Sequence, residues 1–311
     1  MRRDQVTHLT IYIKGKKEGK TMNVYQVVNE RIIELLKKGT IPWRKPWSGG
    51  DDGRPRNLKT KTRYRGINIW LLASQGYSSP YWVTWKQAKS IGGFVNKGEK
   101  GTPCVFWRLL KKEEVVNGAT KKKKIPILKY FTVFNLEQCG GISAPESNTK
   151  SADFNPIDRC EEIVANMPNR PEIKYKGNRA YYKPLCDIVT ISKPEFFSPR
   201  EEYYSCLYHE LAHSTGHKNR LNRRGVSDIV NFGSHERSKE ELIAEFGAAF
   251  LCNVSGISNA TIENSAAYIQ NWLGYIKENK KNIVHAASAG QKAAEYILGN
   301  NYSDEDNEER K

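Results

Sequence analysis

Tyr25, Val28, Ile32, Leu35 and Leu36 recur at the three- and four-residue intervals of one helix face, and Lys37, Lys38 and Gly39 supply a basic, glycine-terminated end. The spacing predicts a helix over 22–38. The next stretch, 41–56, mixes Trp, Pro and Gly with Arg and Lys and shows no period, so an irregular loop is expected. Short helices are expected over 66–75 and 85–91. A glycine-rich turn, a strand over 104–110, a hairpin tip at Lys121–Lys124 and a return strand over 129–135 follow. Together these elements make an α+β module, residues 21–140. Residues 141–155 are poor in apolar side chains and rich in Gly, Pro, Ser and Asn, which marks a linker. Beyond it helical periodicity dominates, with helices at 157–167, 200–215, 238–254, 261–279 and 283–298 and a hairpin-like pair of strands within 171–191. The fold class read from this pattern is α+β in two domains, the second (156–300) mainly helical with a small β-sheet. Residues 1–20 read as a flexible basic N-terminus and 301–311 as an acidic tail.

Charge sharpens the division. Of the 311 residues, the first 145 carry 29 Lys and Arg against 10 Asp and Glu, whereas the rest carry 21 against 24. The net charge of +16 therefore arises wholly in the first half, which also holds six of the seven tryptophans. Two modules with different tasks are implied. No apolar run approaches the roughly 20 residues that span a bilayer, and no apolar segment follows the basic N-terminus as in a secretory signal. A soluble cytoplasmic protein without a membrane partner or a nucleotide cofactor is expected. The six cysteines form no Cys-x-x-Cys pair and are expected to be reduced thiols.

Residues 209–213 read His-Glu-Leu-Ala-His. On a helix, positions i and i+4 project from one face, so His209 and His213 can reach one Zn2+ while Glu210 addresses a water beside it as general base. The segment looks helical on its own terms: Tyr204, Leu207, Tyr208 and Leu211 form a stripe, Glu201 and Glu202 open the helix and Gly216 ends it. A third histidine ten residues after the first would fall at position 219, which is Asn219, and no methionine lies downstream of the motif. His217 falls past Gly216, out of phase, and is expected to be a wall residue. A glutamate from a following helix remains. Glu241 and Glu245 share a face with Ala248 and Cys252, so Glu241 is expected to bind the metal and Glu245 to hydrogen-bond a ligand imidazole. Glu240 is a weaker competitor. His217, Arg220 and a tyrosine are unranked candidates for stabilising an oxyanion.

The first half interleaves cations and rings, as in Trp43-Arg44-Lys45-Pro46-Trp47, Arg63-Tyr64-Arg65 and Tyr81-Trp82-Val83-Thr84-Trp85-Lys86. Single-stranded nucleic acid is held by cations on phosphates and by rings stacked on bases. The expected contacts are Trp43, Arg44, Lys45, Trp47, Arg63, Tyr64, Arg65, Asn68, Trp82, Lys86, Lys97 and Lys100, whereas Trp70, Trp85 and Trp107, set in helix and strand patterns, are assigned to the core.

At these residues the chain resembles the ArdC-type antirestriction proteins of conjugative plasmids and transposons, whose N-terminal module also occurs in TraC-type plasmid primases. The matching stretches are Ile41 to Trp47, Tyr64-Arg-Gly-Ile-Asn, Tyr81-Trp-Val-Thr-Trp-Lys-Gln-Ala, Gly98-Glu-Lys-Gly, Phe131-Thr-Val-Phe-Asn, His209-Glu-Leu-Ala-His-Ser-Thr-Gly-His and Glu240-Glu-Leu-Ile-Ala-Glu. The resemblance implies a single-stranded-DNA-binding domain joined to a zincin-like metallopeptidase domain, with one Zn2+, an unidentified protein substrate, and a role in protecting transferred DNA from restriction. Two other readings stay open: a single-stranded-DNA-coating protein whose zinc is structural, and a replication or priming accessory.

Overall fold

The computed structural model describes residues 24–44, 53–116, 119–145, 155–227, 235–257, 266–278 and 281–300. The expected basic N-terminus, the acidic tail, most of the expected linker, and Lys45 and Trp47 lie outside them. Helix α1 (Val24–Lys37) buries the predicted stripe of Val28, Ile32, Leu35 and Leu36 and ends at Gly39, whose positive φ closes the last turn. A 3-10 turn, Pro42–Arg44, follows. Strand β1 (Arg56–Asn57) leads to α2 (Ile67–Ala73), β2 (Tyr81–Val83) and α3 (Trp85–Ser90), the last opened by a capping box in which Thr84 and Gln87 satisfy each other's backbone N–H groups. Strand β3 (Phe94–Val95) precedes two long strands, β4 (Thr102–Val116) and β5 (Ala119–Asn135), and β6 (Cys139–Gly140) completes the module. The main sheet runs β1-β2-β5-β4, and β3 pairs with β6.

Lys121–Lys124 do not form the hairpin tip. The chain turns between Val116 and Ala119, which places the four lysines in β5 opposite Glu114, Glu113, Lys112 and Lys111 in turn. The hairpin is longer than its apolar run because backbone pairing continues through the charged stretch, where lysines face lysines as well as glutamates.

In the second half, α4 (Pro156–Ala165) starts with an Asn155 cap. A three-stranded sheet follows in place of the expected strand pair: β7 (Glu172–Tyr175), β8 (Tyr181–Lys183) and β9 (Ile188–Ile191), in the order β7-β9-β8. Then come α5 (Arg200–Ser214), α6 (Arg224–Ser227), α7 (His235–Ser255), α8 (Ala266–Glu278) and α9 (Asn282–Ile297). Small residues bring these helices together. A Cβ on Gly247 of α7 would stand 2.9 Å from the Ala212 methyl of α5, and one on Gly290 of α9 would stand 2.5 Å from Phe246 Cβ. No helix among the described residues is long and apolar enough to cross a membrane.

The two halves share one hydrophobic core. Val28, Ile32, Leu36, Trp43 and Trp70 belong to the same buried cluster as Leu207, Leu211, Phe246, Phe250 and Ile283. The Trp43 ring lies 4.9 Å from that of Phe246 on α7, and Trp70 reaches the same ring from 6.0 Å. A polar clip sits beside this contact. Arg65 pairs with the buried Glu295 at 2.9 Å, and the N–H of Gly66 donates to Gln291 Oε1 at 2.5 Å. Gly66 has φ +56° and ψ −135°, a conformation that side chains disfavour and glycine adopts freely.

Candidate metal centre

Helix α5 carries Glu201 and Glu202 in its first turn, where the helix dipole favours them, and presents His209 and His213 one turn apart. Their Nε2 atoms lie 3.1 Å apart. Glu241 Oε2, from α7, stands 3.5 Å from His209 Nε2 and 3.4 Å from His213 Nε2. The close seating of Gly247 on Ala212 is what brings α7 near enough for this. A tetrahedral zinc with bonds of about 2.1 Å needs ligand atoms about 3.4 Å apart. Two imidazoles and a carboxylate with edges of 3.1, 3.4 and 3.5 Å fit that ion in both donor chemistry and size. Among the described residues this is the group of three metal-ligating side chains drawn together in this way.

Burial opposes charge on all three groups, yet their mutual contacts prevail. Hydrogen bonds from His209 and His213 hold the Glu241 carboxyl well below the usual carboxylate range. Burial disfavours the His213 imidazolium, but hydrogen bonds to Glu240 and Glu241 push it up to about 10, and His209 moves upward against its own burial through Glu241. A metal must displace these protons. Apparent zinc affinity is therefore expected to climb as pH rises toward 10, about tenfold per pH unit for each proton displaced. Zinc titrations between about pH 6.5 and 8.5 check this, and a flat profile would contradict it.

The outer face of each ring meets a carboxylate. Glu240 Oε1 lies 3.4 Å from His213 Nδ1, within hydrogen-bond reach. Glu245 Oε1 lies 3.9 Å from His209 Nδ1, at ion-pair range and too far for the hydrogen bond expected of it. Glu210 is buried in the wall of a cleft of about 250 Å³ that Tyr181, Tyr182, Pro184, Val226 and Arg237 also line. Arg220 and His217 are not part of that wall. The Arg220 side chain is 1% exposed and grips Asp187 with two bonds of 2.8 Å, together with the carbonyls of Asn169 and Ser214. His217 turns back to accept from the Asn219 N–H. Of the two tyrosines at the cleft, Tyr182 donates its hydroxyl to Asp187 at 2.8 Å, whereas Tyr181 is half exposed.

Five residues expected to touch nucleic acid are engaged elsewhere. Trp43 is wholly buried on Phe246, and Trp82 and Tyr64 pack together with Leu72, Cys104 and Val133. Asn68 exchanges two hydrogen bonds with the Val105 backbone, at 2.7 and 2.8 Å, and Arg65 is held by Glu295. Arg63, Lys86, Lys97 and Lys100 are exposed, while the Arg44 side chain lies outside the described residues. The reverse error concerns Trp85, assigned to the core but 56% exposed, with Lys89 Nζ 5.6 Å from its ring. Trp85 opens α3, a helix of six residues that buries only Ala88. Phe94, on the adjoining β3, is 61% exposed.

Residues 22–134 match the family model for the N-terminal domain of anti-restriction factor ArdC, and residues 158–289 match a zincin-like metallopeptidase model. Two proteins named DNA primase TraC from Escherichia coli are 34% identical over 88% of this chain, which spans 20% and 27% of their lengths. The uncharacterized protein y4eC of Sinorhizobium fredii (strain NBRC 101917 / NGR234) is 30% identical over 88% of this chain and 91% of its own length. Crystal structures of the antirestriction ArdC protein from R388 plasmid, metal-free and Mn(II)-bound, align with a TM-score of 0.71 at 37% and 36% identity, over 90% of this chain and 98% of theirs. With both halves matched in order, and a solved relative covered almost end to end, this chain belongs to the ArdC antirestriction family.

Proposed function

We propose that this chain is a zinc-dependent peptidase joined to a single-stranded-DNA-binding module, serving a mobile element by protecting its transferred DNA from restriction in the bacterial cytoplasm. The observation that carries the reading is the triangle of His209, His213 and Glu241 at the floor of a cleft that Glu210 also lines. Zinc held by those three residues would supply Lewis acidity toward a carbonyl and would make a nearby water easier to deprotonate. The chain does the rest. The Glu210 carboxylate takes the proton of the attacking water and returns it to the leaving amine. Tyr181, which lines the cleft while Tyr182 is held by Asp187, supports the role of donor to the carbonyl oxygen as charge develops there. The test is the appearance of new protein N-termini, read by mass spectrometry, when the zinc-loaded full chain meets a mixture of denatured bacterial proteins. Their absence would leave a DNA-coating protein with a structural metal.

For the DNA module, the support is an exposed ring with a cation over it (Trp85 and Lys89), a second exposed ring on the neighbouring strand (Phe94), and the exposed cations Arg63, Lys86, Lys97 and Lys100. Unpaired bases offer such rings two free faces, which duplex DNA does not. Trp85→Ala and Phe94→Ala are each expected to weaken single-strand binding by about 1–3 kcal/mol. Neither should change the unfolding midpoint, and the affinity that remains should fall steeply with salt. Fluorescence anisotropy with a labelled oligonucleotide reads this; unchanged affinity in both variants would remove the rings from the interface.

A further inference from the structure

After the His helix ends at Ser214, the chain doubles back on itself. Gly216 permits this. A Cβ there would stand 2.5 Å from Val226 Cγ2, and the Arg223 N–H donates to the Gly216 carbonyl at 2.9 Å. The return carries Arg223 beneath the C-terminal turn of α5, where its side chain is 13% exposed and its guanidinium meets several acceptors. Nη2 donates to Glu240 Oε1 at 2.6 Å and Nε to Glu240 Oε2 at 3.0 Å, a two-pronged grip on one carboxylate. Nη2 also reaches the Ala212 carbonyl at 2.8 Å, and Nη1 donates to Thr215 Oγ1 at 2.7 Å. Glu240 Oε1, so fixed, is the atom 3.4 Å from His213 Nδ1.

We propose that Arg223 and Glu240 form a brace that holds the His213 ring with its proton on Nδ1, so that Nε2 faces the metal with a free lone pair, and that Arg223 thereby sets metal affinity without being a ligand. The inference rests on His213 being a ligand, as the proposed function has it. A carboxylate gripped by an arginine on both oxygens can only accept from the imidazole, which leaves one tautomer. Lysine could not replace the arginine, because four acceptors in one region require a planar fork with several donors. Arg223 and Glu240 are positioning residues; neither is among the three groups that converge on the metal position.

The test measures Zn2+ affinity of the full chain by competition with a chromophoric chelator. Arg223→Met and Glu240→Ala are each expected to weaken zinc binding by about 10–100-fold. Glu240→Gln, which keeps an acceptor oxygen for the Nδ1 proton but loses the charge, should fall between wild type and Glu240→Ala. The double variant Arg223→Met with Glu240→Ala should be no weaker than the weaker single variant, because the two residues act through each other. His213→Ala separates the two readings. If it binds zinc like the wild type, the ligand assignment fails; if it loses zinc while Arg223→Met and Glu240→Ala keep wild-type affinity, the brace alone fails. An Arg223→Met protein whose melting temperature drops while its zinc affinity is unchanged would make the arginine merely structural and overturn the proposal. Should the variants not fold, nitrogen-resolved NMR of the zinc-loaded wild type decides. A slowly exchanging proton on His213 Nδ1 is expected, and a proton on Nε2 would overturn the brace.

Discussion

Glu210→Gln in the zinc-loaded protein is expected to lower peptide hydrolysis by about 10²–10⁴-fold, the usual contribution of a positioned general acid–base group. Zinc affinity should stay near that of the wild type, because Glu210 is not among the three groups whose ligand atoms converge. The amide matches the carboxylate in shape and leaves the buried position filled, so a loss of activity cannot be ascribed to a cavity. What it removes is the capacity to take up a proton. The measurement is kcat/KM on any peptide the wild type cleaves, set beside a chelator competition for zinc. Full activity in the amide variant would move the base to another cleft group. Equal loss of zinc and activity would instead make Glu210 part of the metal's support.

Trp43→Ala is expected to destabilise the protein by about 3–5 kcal/mol, as for other buried aromatic truncations. That is a large share of the roughly 5–15 kcal/mol that holds a typical domain folded. The indole is wholly buried and packs on Phe246, five residues along α7 from Glu241, so the cavity opens beneath the helix that supplies the carboxylate ligand. Urea unfolding should show a lower midpoint by both tryptophan fluorescence and helical signal, in a single transition, because the core passes through both halves. Trp43→Phe should cost far less: it keeps a ring on Phe246 and discards an Nε1–H with no acceptor among the described residues. A shift below about 1 kcal/mol for the alanine variant, or two separate transitions, would show the halves to be independent. Trp43 and Trp85 thus exchange the parts that local pattern assigns them. One fastens the N-terminal half to α7, and the other stands exposed on α3.

The metal triangle was legible in the chain because its information is local. A helix repeats its geometry every 3.6 residues, so His209 and His213 converge wherever that helix packs, and Glu241 was reachable by elimination once position 219 held asparagine. Element type was legible for the same reason, as α1 buries Val28, Ile32, Leu35 and Leu36 and α5 buries Tyr204, Leu207, Tyr208 and Leu211, the stripes their spacing predicts. The partners of the ligands were less so. Glu240, Glu241 and Glu245 lie within six residues, and which of them meets which imidazole depends on the rotation of α7 against α5, fixed by Gly247 seating on Ala212.

By itself, then, the sequence determined the helices, the catalytic-type motif, the segregation of positive charge and the family, all properties of short segments or of composition. Only the tertiary structure decided that Trp43, Tyr64 and Trp82 are core, that Arg65 and Gly66 clip the halves together, and that Arg223 stands behind His213. The physical reason is that burial and hydrogen-bond partnership are made between residues distant along the chain. An aromatic ring in a basic loop has the same local signature whether it stacks on a base or fills a gap above a helix 200 residues away.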